Sequence, residues 1–119
     1  MGTALVYELP PFDTGQYEEA EFRMASGGGV LEVHVADLGT FKISFHRVRW
    51  HQFTALPNCT AELIEGAYFR LVEVSSPALR AFIDADTSSR RAYSELHHYR
   101  IFLDETGCHE VFAESFNAA

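Results

Sequence analysis

The residues of this chain that could do chemistry are six histidines, two cysteines, an excess of carboxylates and one short basic stripe. Imidazole is the commonest protein ligand for zinc and related ions, so the histidines raise a metal reading first. Their spacing opposes it. His97 and His98 are adjacent and on a strand would face opposite sides, and His46 and His51 lie too far apart on extended chain to share an ion. No Cys-x-x-Cys, His-Glu-x-x-His or His-x-His occurs. A site from His34, His51 and His109 would have to be assembled by the fold, so solvated or hydrogen-bonded histidines are expected, with no metal and no cofactor.

Cys108 and His109 are neighbours, and a Cys–His catalytic pair would need its histidine from elsewhere. Cys108 reads instead as a small buried hydrophobe. A Cys59–Cys108 disulfide is conceivable in geometry but disfavoured in a reducing compartment. General acid–base work needs an acid whose pKa burial has moved. Glu18-Glu19, Asp104-Glu105 and Glu110/Glu114 all sit in hydrophilic or half-exposed settings. Glu73, in an otherwise apolar strand, is the best candidate, with an ion pair to Arg70 or to another strand's arginine as the simpler reading. There is no Gly-x-Ser-x-Gly and no triad-like arrangement. An enzyme is not the leading reading, and a metal- or histidine-dependent enzyme stands as an alternative.

Two sets of residues could bind without chemistry. Arg47, Arg49 and His51, beside Trp50, could anchor an anionic small molecule, or pair with carboxylates on a neighbouring strand such as Glu32 or Glu73. Asp104, Glu105, Glu110 and Glu114 cluster around one turn, and Glu110 and Glu114 share strand parity. They could meet a basic partner or merely keep a ribbon soluble.

Seventeen acids against nine bases give a net charge of −8, which opposes nucleic-acid binding and docking on anionic membranes. No apolar run reaches the ~20 residues of a membrane span, and residues 1–11 do not read as a signal peptide. A cytoplasmic location is therefore expected. At 119 residues the chain is expected to form one domain, 1–119, with its own core.

The elements that must position these residues are mostly strands. Thr3 to Leu9 alternates, with Leu5, Tyr7 and Leu9 on one side, and Pro10-Pro11 ends it. Asp13 to Glu21 reads as an exposed loop, Ala20 to Ala25 as a short strand and Ser26 to Gly29 as a turn. Val30 to Ala36 alternates cleanly. Phe41, Ile43 and Phe45 then give way to Val48 and Trp50, a parity change that predicts a β-bulge near His46-Arg47 in one long strand. Ala67 to Val74 reads as a central strand. Ser76 and Pro77 start a short helix carrying Leu79, Phe82 and Ile83, with a break over 84–89 and another helical turn over 90–96. The two runs flanking Asp104 to Gly107 make a C-terminal β-hairpin, with a type I turn and a glycine bulge. The expected class is α+β, mostly β: an antiparallel sheet, sandwich or partly open barrel with one short helix.

The helix opened by Ser76 with Leu79, His98-Tyr99-x-Ile101, the acidic turn and Cys108-x-Glu110-Val111-x-Ala113 form a pattern. Together with Phe41-x-Ile43-x-Phe45-x-x-Val48, it resembles small bacterial β-rich proteins. Some of these resemble immunity proteins of contact-dependent or polymorphic toxin systems. The resemblance covers mostly the C-terminal half and implies no catalytic residues. It implies a binding protein whose partner is a basic toxin. A small-molecule-binding β domain with an arginine-anchored pocket is the alternative.

Overall fold

Alternation over Leu31, Val33 and Val35 puts three apolar side chains on one face of a strand, and all three are buried. In the computed structural model, which describes residues 3–85 and 96–118, this strand is β3 (Gly28–Val35). It lies at the middle of an antiparallel meander with β2 (Tyr17–Ala25) and β4 (Gly39–His46). The last strand, β9 (Ser115–Ala118), pairs with β4 and completes a four-stranded sheet ordered β2-β3-β4-β9.

The second sheet has five strands, β1 (Thr3–Glu8), β5 (Trp50–Ala55), β6 (Arg70–Val74), β7 (His97–Leu103) and β8 (Gly107–Ala113), ordered β1-β6-β7-β8-β5. The sheets stay open and face each other across a core that includes Leu31, Ile43, Phe45, Leu71, Ile101 and Val111. The other face of the five-stranded sheet is also covered. There Val72, Phe102 and Cys108 pack beneath Leu63 and Ile64 of the single-turn helix α1 (Ala61–Ile64). Phe82 of α2 (Pro77–Ala85) sits edge-on to Phe112. Cover on both faces explains why β7 and β8 are buried along almost their whole length instead of alternating.

The helix and hairpin form where the sequence places them. Ser76 Oγ accepts the Leu79 backbone N–H at 3.3 Å, capping α2 with Pro77 as its first residue. Asp84 and Ala85 belong to α2 rather than to a break, and the remainder of that break and the expected turn over 90–95 lie outside the described residues. Leu103 pairs with Gly107 across the hairpin turn, where Glu105 takes a left-handed φ of 67°. A Cβ at Gly107 would strike the Thr54 carbonyl of β5, which fixes glycine there.

Three expectations change. The expected loop over Asp13 to Glu21 shrinks to a capped 3-10 turn at Thr14–Gln16. From Tyr17 onward the chain is β2, an edge strand whose outer side faces solvent and so reads as hydrophilic. In β1 the register shifts between Leu5 and Tyr7, so Leu5 is exposed while Leu9 is buried.

The largest change is at His46-Arg47. There is no bulge in one long strand. β4 ends at His46, Arg47 takes φ 55°, and the chain crosses to the other sheet, where β5 starts at Trp50. Val48 packs with Phe45 on the inter-sheet core, but Trp50 lies on the outer face, its ring 4.4 Å from that of Phe112. A left-handed residue and a change of sheet absorb the parity shift that an inserted residue would otherwise have to absorb.

Candidate functional site

The strongest concentration of chemistry is on the outer face of the five-stranded sheet. Arg100 of β7 and Glu110 of β8 are direct cross-strand partners, and His98 is two residues from Arg100 on the same side. The cap of α2 brings in Ser76. Ser76 Oγ lies 2.7 Å from His98 Nδ1, and His98 Nε2 lies 2.8 Å from Glu110 Oε2. Arg100 Nε donates to the same carboxylate oxygen at 3.2 Å, and its Nη1 donates to the Glu62 carbonyl of α1 at 3.3 Å.

His98, Arg100 and Glu110 are buried. Burial alone would raise the Glu110 pKa. The His98 hydrogen bond and the Arg100 charge outweigh it and hold the carboxyl below its ordinary range. An ionised Glu110 only accepts, so His98 presents Nε2–H to it. In the neutral ring Nδ1 then carries the lone pair that accepts the Ser76 hydroxyl proton. This tautomer follows from the hydrogen-bond network.

A cleft of about 470 Å³ opens beside the cluster, lined by Ser75, Ser76, Arg100, Glu62, Glu65 and Val74 among others. A second hollow of the same size shares Ser75, Ser76 and Val74 with it. Ser76 thus reaches open space while His98 and Glu110 stay covered. A serine hydroxyl, a histidine and an ionised carboxylate in hydrogen-bonded sequence correct the expectation of no triad-like arrangement. The three come from an α2 cap and two strands, so no local motif announces them.

The inner face of the same sheet carries a second histidine group. His51 Nε2 and His109 Nδ1 are 3.2 Å apart, and Phe22 stacks on His51 with ring centroids 3.9 Å apart. Burial, helped by the neighbouring His51, pushes the His109 pKa down to about 4. His34 is elsewhere, bonded to Thr40 on the four-stranded sheet. His34, His51 and His109 therefore do not converge. Among the described residues, no group of three or more His, Cys, Asp or Glu side chains is arranged to hold a metal. Cys59 and Cys108 are both free thiols, and burial pushes Cys108 up to about 12.

The basic stripe does not form one face. Arg47 and Arg49 both reach Glu114, at 3.8 and 3.1 Å, rather than Glu32 or Glu73. Trp50 and His51 point to opposite faces of β5, as successive strand residues must. Glu73 is bonded to His97 at 2.7 Å and is 40% exposed, while Arg70 pairs with Glu8. Among the described residues the buried acids are Glu32 and Glu110, not Glu73.

The ribbon of Asp104, Glu105, Glu110 and Glu114 is likewise divided. Glu110 is buried because the helices cover its face of the sheet, and Glu114 lies at the far end of β8 beside the arginines. Asp104 and Glu105 remain at the hairpin tip. There they join other acids that the fold collects at one end. The Tyr17 hydroxyl bonds Thr106 at 2.8 Å, tying the start of β2 to that tip. Burial chiefly raises the Tyr17 pKa, and the charges of Glu19, Glu105 and Asp104 raise it further. Tyr68, largely exposed, donates to Asp104 at 2.8 Å. The β3–β4 turn brings Asp37 and exposed Leu38 to the same end. Among the described residues, Glu18, Glu19, Asp104 and Glu105 form no ion pair, whereas Glu8, Glu21, Glu32, Glu73, Glu110 and Glu114 all do.

No helix among the described residues is long and apolar enough to cross a membrane. Comparison with protein-family models, curated proteins and solved structures finds no match for this chain.

Proposed function

We propose that this protein acts by binding a basic protein partner through the end that carries Glu18, Glu19, Asp104 and Glu105, in the manner of an immunity-type inhibitor docking on a cationic toxin. One observation carries the reading: Glu19 at the start of β2 and Asp104 and Glu105 of the hairpin tip converge around Tyr17, and none of them forms an ion pair among the described residues. Tyr68 and Leu38 beside them add exposed apolar surface of the kind that anchors an interface. Arg47 and Arg49 lie at the opposite end, so the molecule has an electrical direction that would orient an approaching cationic surface.

The test is a pull-down from the native host with the wild-type protein, a Glu19→Lys/Asp104→Lys/Glu105→Lys variant and an Asp84→Lys control on α2, which packs at Phe112 toward the other end of β8. The expected result is a basic partner that salt releases and that the triple variant binds at least tenfold more weakly, on the order of 1.4 kcal/mol. Unchanged capture by the triple variant at low salt, with its fold intact, removes this end from consideration. A second reading, small-molecule binding, is favoured by the cleft at Ser76 and Arg100 rather than by Arg47 and Arg49.

A further inference from the structure

We propose that Ser76 is a nucleophile activated by His98 and Glu110, forming an acyl-transfer site that opens into the cleft between α1, α2 and the five-stranded sheet. The contacts have the order such a site needs: nucleophile to base at 2.7 Å, base to carboxylate at 2.8 Å. The ring is used in the opposite sense to the serine-protease pattern, with Nδ1 toward the serine and Nε2 toward the acid. The chemistry requires a lone pair at the hydroxyl and an N–H at the carboxylate, and either sense provides both.

The surroundings fit the role. Ser76 Oγ accepts the Leu79 N–H, which turns its own proton toward Nδ1. As the cap of a nine-residue helix, it sits where the positive end of the helix dipole favours an alkoxide. Pro77 has no N–H, so Ala78 carries the first N–H of the helix without an intrahelical acceptor, two residues from the nucleophile in sequence. Arg100 holds Glu110 ionised, and burial covers the His98 Nε2–Glu110 contact behind the nucleophile.

In the proposed step, Ser76 Oγ attacks the carbonyl carbon of an ester as its proton passes to His98 Nδ1. The tetrahedral adduct collapses, the bond to the alcohol oxygen breaks, and the alcohol leaves with the proton from His98. Water, deprotonated by the same nitrogen, then cleaves acyl-Ser76, releasing a carboxylic acid and restoring the hydroxyl. Glu62 and Glu65 line the cleft, and the charge of Arg100 is matched by Glu110. The substrate class is therefore a small ester with a neutral or cationic alcohol part.

The experiment uses the full chain with a fluorophosphonate reagent, read by intact mass and peptide mapping, and with p-nitrophenyl acetate for turnover. The expected result is one adduct, on Ser76, forming at least tenfold faster than in His98→Gln. Ser76→Asn keeps a good helix cap but has no hydroxyl, and should lose both adduct and turnover. A Glu21→Lys variant, on β2 of the other sheet, should label like wild type. No adduct on Ser76 in the folded wild-type protein would overturn the proposal. Equal labelling in a folded His98→Gln protein would also do so. If His98→Gln does not fold, turnover by wild type above that of folded Ser76→Asn decides in favour, and equal turnover decides against.

Discussion

His98 and His109 lie on paired strands of one sheet, His98 on its outer face and His109 on its inner face. Each is buried, and each touches aromatic rings. His98 faces an ionised carboxylate that an arginine also holds, in a group whose charges compensate. His109 faces another imidazole and phenylalanine rings, and no carboxylate among the described residues bonds it. Burial is common to both, so the neighbouring groups decide the chemistry. The outer face keeps charge in the interior and the inner face excludes it.

The sharpest way to break this contrast is to leave the outer charge unbalanced. Glu110→Ala strands Arg100 beneath the helices, and urea unfolding should show a loss of about 3–5 kcal/mol, as for other broken buried pairs. A loss under about 1 kcal/mol would mean that water already reaches the cluster.

Acid should act on the two faces in different pH windows. The His109 pKa falls from 6.5 to about 4 on folding, so the unfolded chain binds the extra proton between those values. The stability it contributes is full above about pH 6.5 and is lost as pH falls toward 4, by at most roughly 3 kcal/mol. Glu110 is also depressed, but its folded form prefers the charged state, so its contribution is lost only as pH falls through and below the ordinary carboxylate range. Unfolding free energy measured from pH 7 to 4 should flatten in His109→Phe. A slope in that variant identical to wild type would remove His109 as the cause.

The smallest of the three effects concerns Trp50, at the edge of the outer cluster. Its ring leans on Phe112 and meets His98 edge-on, but it is only half-buried. Trp50→Ala should therefore cost about 2 kcal/mol, less than a fully buried aromatic. No change in thermal stability would leave the ring free for a ligand.

Local signals are legible in the sequence: alternation over Leu31, Val33 and Val35 marks a strand, Ser76-Pro77 a helix start, and Asp104 to Gly107 a hairpin turn. The reading failed where a strand was buried on both faces or changed sheet. β8 carries Cys108, Glu110 and Phe112 outward, and local polarity made Glu110 look solvated because helices α1 and α2, which cover it, pack from other parts of the chain. The parity shift between Phe45 and Val48 was visible, but a ladder bulge and a crossing between sheets leave the same trace in one dimension. The functional cluster was harder still. Ser76 was recognised as a cap and His98 as one of an adjacent pair, and their contact spans 22 positions with no shared motif.

The crossing at Arg47 has a counterpart at Glu114, where the chain passes back from β8 to β9, and the Glu114 N–H bonds the His46 carbonyl between them. The two passages lie side by side and fasten the sheets at one end, with His46 and Asn117 joined across 71 positions of sequence. Contacts of such separation must wait for the chain to close a long loop, so contact-order reasoning places the local β2–β3–β4 meander early and the β4–β9 ladder last. Until β9 arrives, β4 is a bare edge able to pair with another chain. The final strand thus covers the β4 edge and leaves only the four-residue β9 exposed there, and slow hydrogen exchange at Ser44 and His46, whose amides lie on the β9 side, would report when it docks.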